Sequence, residues 1–132
     1  MTSDTDPATA SVEPPRGELG LRMLEGPVVY AIVNPGYDAT GALATIGEDE
    51  GITVIVEQDV ADDDGLVYEF VGAWITLEEP TALDSVGITA QLSSRLADAG
   101  IACNVIAGFH HDHLVVPWEQ RHSAMEALRA LG

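Results

Sequence analysis

The sequence predicts an α+β fold made of two similar halves, each with an antiparallel sheet that helices cover on one side. Short β-branched runs alternate with segments of helical period, and the order strand, helix, strand, strand occurs twice. In addition, Asp49-Glu50-Gly51-Ile52 is matched by Asp98-Ala99-Gly100-Ile101, which follows it by 49 residues. Because neither half is long enough to fill a core alone, we expect the two βαββ halves to share one. This is a tandem ferredoxin-like arrangement.

The first half, residues 18–71, is predicted from three apolar runs. The first run ends at Asn34-Pro35-Gly36, a typical turn after a buried strand, and Asp62-Asp63-Asp64-Gly65 marks a second turn. The runs are rich in the β-branched residues that favour strands. The three predicted strands are Val28–Val33, Ile52–Val56 and Leu66–Val71.

A short helix is predicted between the first two of these strands. Asp38 or Thr40 can cap its start, and Leu43 and Ile46 would lie on one of its faces. Gly51 would end it.

The second half, residues 72–132, contains the strongest helical pattern. Ile88, Leu92 and Leu96 recur every four residues, and Gly100 follows as a C-terminal stop. Thr81-Ala82-Leu83-Asp84 has the spacing of a capping box before this helix. A final helix is predicted from the apolar stripe of Met125, Leu128 and Leu131. The predicted strands are Trp74–Glu78, Ile101–Ile106 and His113–Val116.

The chain is strongly acidic, with 22 acidic residues against five arginines and a formal net charge of −17. Nucleic acids and anionic membranes are poor partners for such a surface, because binding to them needs clustered cations. Self-repulsion of this size is screened by concentrated salt, so a salt-adapted protein is the simplest interpretation. Only three of the acids follow residue 101, so the last third of the chain has a different surface character.

The start of the chain and its one cysteine bear on location. Residues 1–17 are rich in Thr, Ser, Asp and Pro, and they are predicted to form a disordered acidic tail. This segment has no basic start followed by an apolar stretch, and no apolar run in the chain is long enough to span a bilayer. Cys103 cannot form an intramolecular disulfide. We therefore expect a cytoplasmic protein in a reducing compartment.

Three segments of the second half resemble a small family of stand-alone tandem ACT-domain proteins. They are Ser85–Ala90, Ala99–Gly108 and His110–Pro117. The resemblance continues upstream through Glu48-Asp49-Glu50-Gly51-Ile52-Thr53 and covers about residues 18–132. It implies two ferredoxin-like ACT-type repeats and a regulatory role in binding small molecules, usually amino acids, in a homodimer. Around Asp112-His113 the last repeat is also similar to the CASTOR arginine sensors.

The resemblance implies a ligand site at the loop before the strongest helix. There the unpaired N–H groups and the positive end of the helix dipole favour a carboxylate, and Gly87 lets a ligand approach the backbone. Asp112 would accept hydrogen bonds from an ammonium or guanidinium group, and Asn104 can both donate and accept. Helix packing for Gly87 and a strand-end hydrogen bond for Asn104 are the alternatives. The predicted ligand-binding residues are Ser85, Val86, Gly87, Ile88, Asn104, Asp112 and His113.

Two further functions are open at this level. His110, His111, Asp112 and His113 could belong to a metal-binding protein or an enzyme, although strand alternation would place His111 and His113 on one face and Asp112 on the other. The chain could also be a dimerisation module without a ligand. Cys103 is best explained as a small buried apolar residue. We therefore predict no catalytic residue, no metal site and no cofactor.

Overall fold

The computed structural model of the chain describes residues 20–78 and 86–130. Four of the sequence predictions lie outside these residues. They are the tail 1–17, the capping box Thr81–Asp84, the site residue Ser85 and the helix residue Leu131. In the described part, no helix is long and apolar enough to cross a membrane.

The described residues form seven strands and three α-helices. The strands are β1 (Leu21–Met23), β2 (Val28–Val33), β3 (Ala44–Glu48), β4 (Gly51–Glu57), β5 (Val71–Leu77), β6 (Asn104–Ala107) and β7 (Asp112–Pro117). The helices are α1 (Gln58–Asp63), α2 (Ile88–Asp98) and α3 (Arg121–Arg129), and a 3₁₀ turn at Trp118–Gln120 leads into α3. All strand pairs are antiparallel, in the order β3-β4-β2-β5-β7-β6, with β1 also on β5.

Strand β5 joins the two halves into one sheet. Its first two residues pair with Val29 and Val28 of β2, and its last three residues pair with β1. Along its opposite edge, Gly72 to Thr76 pair with β7. Strand β1 therefore lies in the second half of the sheet, beside β5. Strand β5 also pairs with β2 and so connects the second half of the sheet to the first.

The helices pack on one face of this sheet, which we call the covered face. Leu92 and Leu96 of α2 and Leu128 of α3 are fully buried against Ile75 and Leu114 of the sheet. A second cluster packs Ala61 of α1 against the neighbouring strands β2 and β4. The predicted α+β fold of two ferredoxin-like halves is confirmed.

The core residues that the halves share lie on the other face, which we call the open face. Val28 and Ile55 of the first half cluster there with Trp74 and Val115 of the second. Each of these residues alternates along its strand with residues of the covered face. The core that the two halves share is therefore built from strand residues and not from helix residues.

The helix predicted between Asp38 and Gly51 is wrong. Ala44–Glu48 is strand β3, which pairs with β4 through a tight turn at Asp49 and Glu50. Asp38 caps a local turn instead, since its Oδ1 accepts hydrogen bonds from the backbone N (3.0 Å) and the hydroxyl (2.6 Å) of Thr40. These two hydrogen bonds lower the pKa of the Asp38 carboxyl. Strand pairing with β4 therefore outweighs the helical spacing of Leu43 and Ile46.

The remaining differences concern β1, β6, α1 and the internal repeat. Strand β1 was not predicted, and the strand predicted over Ile101–Ile106 begins only at Asn104. Residues 66–70, predicted as part of a strand, are irregular, and helix α1 before them was not predicted. The positions of the strands in the sheet show which elements of the two halves are equivalent. Strands β2, β3 and β4 correspond to β5, β6 and β7, and helix α1 corresponds to α3. The turn at Asp49 and Glu50 is therefore equivalent to the turn at Phe109 and His110, and not to the end of α2 that the 49-residue repeat indicated.

Candidate ligand-binding site

The start of α2 is an open helix N-terminus. Gly87 is its N-cap residue, with a left-handed φ of 102°, and no side chain of residues 20–78 or 86–130 caps the helix there. The Gly87 carbonyl accepts the first hydrogen bond of the helix, from the backbone N of Gln91 at 2.9 Å. Among the described residues, no atom lies within 4 Å of the place where a Cβ of Gly87 would be, and Val86 before it is 97% exposed. The first N–H groups of α2 are therefore accessible to an acceptor from outside the helix.

Asp112 is a largely buried residue at the same end of the sheet. It is the first residue of β7, is only 7% exposed, and alternates with Val115 so that it shares the covered face with Leu114. Within the described residues, no side chain or backbone group forms a hydrogen bond with its carboxylate. A carboxylate without a partner can accept hydrogen bonds from a cationic group.

The topology places Asp112 and the start of α2 together. Thr76, near the end of β5, pairs with His113, so β7 begins where β5 ends. Strand β6, which follows α2, begins beside Val115, further along β7. Helix α2 must therefore run back along the covered face, and it begins at the end of the sheet that holds Asp112.

His113 lies on the open face and is held by two neighbours on β5. Its ring stacks on Trp74, with centroids 4.8 Å apart, and its Nδ1 lies 3.0 Å from Oγ1 of Thr76. Burial lowers the pKa of His113, the nearby His111 lowers it further, and the charge of Asp112 opposes the shift. The sequence analysis missed Trp74 and Thr76 as partners of His113, although strand alternation puts both on one face.

The seven predicted ligand-binding residues therefore fall into separate groups. Val86, Gly87 and Ile88 lie with Asp112 at one end of the covered face, where Ile88 packs against the core. Asn104 pairs with Val115 and is exposed on the open face, where the half-buried ring of His113 also lies. The structure does not bring Asn104 or His113 to the start of α2.

The histidine-rich segment does not gather a set of metal ligands. Within residues 20–78 and 86–130, no three His, Cys, Asp or Glu side chains lie together as a metal site. His111 Nδ1 is buried and has no hydrogen-bond partner there. Cys103 is free and half-buried, and burial raises the pKa of its thiol. A raised thiol pKa disfavours the thiolate that a nucleophile needs.

Comparison with known proteins identifies both halves of the chain. One family model described as an ACT domain matches residues 20–73, and a second model of the same description matches residues 71–130. No curated protein sequence matches the chain.

Several solved structures resemble the chain over most of its length. A Vibrio cholerae protein of unknown function, described as a possible transport protein, is 34% identical, with a TM-score of 0.76, over 85% of this chain and 88% of that one. An Agrobacterium tumefaciens protein is 23% identical, with a TM-score of 0.66, over 84% and 87% of the two chains. The regulatory subunit of aspartate kinase from Thermus thermophilus has the same fold at 11% identity, with a TM-score of 0.61, over 86% and 96%.

Proposed function

The chain belongs to the ACT-domain family, and on that premise we propose that it is a non-catalytic regulatory protein that binds a free amino acid at the start of α2. ACT domains are regulatory modules that typically bind amino acids. The observation that carries the proposal is the position of Asp112 at the same end and on the same face as a helix N-terminus that no side chain of the described residues caps.

The two parts of this site match the two charges of an amino acid. The first N–H groups of α2 would donate to the α-carboxylate, and the dipole of the helix favours a negative charge there. Asp112 would accept hydrogen bonds from the α-ammonium group. Each such charge-assisted hydrogen bond contributes about 1.5 to 3 kcal/mol.

Gly87 explains how a ligand reaches the helix. Its left-handed φ turns the chain into α2 without a side chain over the first turn, and the space beside it is open. Any other residue at this position would be strained and would add a Cβ on the approach to the backbone N–H groups.

Regulation would follow from the linkage between binding and conformation. A ligand that contacts α2 and β7 together favours the arrangement in which both are correctly placed, by as much as its affinity differs between the arrangements. We further propose that the protein acts as a cytoplasmic homodimer, and that it passes this change to a separate protein partner.

Thermal unfolding in the presence of single amino acids tests the proposal. A ligand that binds only the folded state stabilises it by about 2.7 kcal/mol at one hundred times its dissociation constant. We expect one or a few amino acids to raise the melting temperature, and Asp112→Asn to abolish the rise. Asp98→Asn, at the far end of the same helix, should keep it. A flat response of the wild type to every amino acid, or an unchanged response of Asp112→Asn, would overturn the proposal.

A further inference from the structure

A cleft of about 620 Å³ lies at the opposite end of the sheet, between the two halves of the chain. One wall is Gln58, the first residue of α1, and the facing wall is the segment 117–120 that leads into α3. Glu69, Phe70 and Val71 connect the walls where β5 begins. Clefts of this volume hold small organic ligands, and this one is remote from Asp112 because β7 begins at one end of the sheet and ends at the other.

The cleft has an apolar part, and the largest side chain in it is fixed. Phe70, Val71 and Trp118 supply this surface. The guanidinium carbon of Arg121 lies 3.8 Å from the centroid of the Trp118 ring, and Arg121 Nη1 donates to the Trp118 carbonyl at 2.8 Å. Arg121 does not line the cleft. The guanidinium therefore holds the indole in place while its charge stays outside the cavity.

The charged side chains of the cleft are acceptors, and its other polar side chains are the amides of Gln58 and Gln120. Gln58 Nε2 donates to the hydroxyl of Tyr68 at 3.0 Å, so the Oε1 of the same amide remains to accept a hydrogen bond. Glu69 and Glu119 add two exposed carboxylates to the lining, which contains no Lys, Arg or His. The helix starts at this end carry partial positive charge, but Asp59 and Glu119 in their first turns offset it.

We propose that this cleft is a second binding site, for an organic cation with an amine or guanidinium head on an apolar body. The body would pack against Phe70, Val71 and Trp118, and the head would lie between the carboxylates of Glu69 and Glu119. Gln58 Oε1 would accept one of its hydrogen bonds. Because the walls come from different halves, the ligand would tie the two ACT repeats together.

Isothermal titration with four small probes tests this site. The probes are phenethylammonium, 2-phenylethanol, phenylacetate and methylammonium. About 0.5 M salt shortens the Debye length to about 4 Å and suppresses general attraction to the acidic surface. We expect saturable binding of phenethylammonium, and affinities weaker by about tenfold or more for the neutral alcohol, the anion and the headgroup alone.

Matched variants locate the binding. The double variant Glu69→Gln/Glu119→Gln should weaken the binding of phenethylammonium by about tenfold or more. The control Glu126→Gln, which changes an exposed acid on α3, should leave this binding unchanged. Asp112→Asn should also leave it unchanged, which separates this site from the proposed amino-acid site. The proposal is wrong if phenethylammonium fails to saturate, if 2-phenylethanol binds equally well, or if Glu126→Gln weakens binding as much as the double variant does.

Discussion

The imidazole of His113 stacks on the indole of Trp74 with 26° between the ring planes, so a titratable base and an aromatic ring form one layer on the open face of the sheet. The charged groups that act on His113 are Arg22, His111 and Asp112. Burial and two of these groups favour the neutral ring, and only Asp112 favours the imidazolium. The burial and the charged neighbours of His113 therefore make folding sensitive to pH.

The pH dependence has a defined sign. Since the pKa of His113 is lowered in the folded state, the unfolded chain takes up the proton more readily as pH falls below about 6.5. We expect the free energy of unfolding of the wild type to decrease, relative to that of His113→Phe, between pH 7 and pH 5. Urea titrations at each pH measure this difference. The same comparison with His122→Gln, an exposed histidine on α3, should show little change, and a constant difference for His113→Phe would contradict the account.

Gly72 is predicted to be intolerant of a side chain. It pairs with Val28 on one side and with Pro117 on the other, so it lies where three strands meet. A Cβ there would lie 2.6 Å from Val115 Cγ1 and 2.8 Å from Phe70 Cε2. We expect Gly72→Ala to lower the free energy of unfolding by about 1 to 3 kcal/mol. Gly47→Ala in β3, where no atom lies within 4 Å, is the matched control and should lower it by much less.

The two halves are predicted to unfold together because β5 belongs to both sheets. Leu96→Ala in the core of the second half should destabilise by about 2 to 5 kcal/mol. Trp118 lies in the second half and Trp74 in the cluster where that half meets the first, so their fluorescence reports the second half and the junction, whereas far-ultraviolet circular dichroism reports the whole chain. We expect the two signals to give one midpoint in wild type and variant alike. Separate midpoints would show that the halves are independent.

The acidic surface predicts stabilisation by salt. Asp49, Glu50 and Asp63 are exposed acids, and within the described residues they form no side-chain hydrogen bond or ion pair. We expect the melting temperature of the wild type to rise between about 0.1 M and 2 M sodium chloride, because salt screens self-repulsion. The triple variant Asp49→Asn/Glu50→Gln/Asp63→Asn should be more stable at low salt and respond less. An equal response of both proteins would assign the salt effect to another cause.

The sequence predicts best those elements in which apolar and polar side chains lie on opposite faces. Helix α2 follows from Ile88, Leu92 and Leu96, which a helix places on one face, together with a segment too long for a typical strand and the stop at Gly100. Helix α1 has a single buried residue, Ala61, so its six residues carry no periodic signal. Strand β3 was mistaken for a helix because Leu43 and Ile46 fit a helical spacing, whereas the pairing with β4 that decides its structure is invisible locally.

Part of the candidate site could be predicted from the sequence, and part of it could not. Strand alternation separates Asp112 from His113 without a structure, because neighbours on a strand face opposite sides. Which of them lies with α2 depends on the face that the helices cover, and that depends on the register of β7 with β5. The ligand roles of Val86, Gly87, Ile88, Asn104 and Asp112 remain predictions, as does that of His113, and Ser85 lies outside the described residues.

The most direct test of the proposed amino-acid site is the amide nuclear magnetic resonance spectrum of the ¹⁵N-labelled protein. The spectrum is recorded with and without the amino acid that most stabilises the wild type. We predict that the largest shifts fall on Gly87, Ile88 and Thr89 at the start of α2 and on Asp112, and that Asp112→Asn removes them. Shifts confined to the cleft around Trp118, or an unchanged spectrum with every common amino acid, would contradict binding at the start of α2.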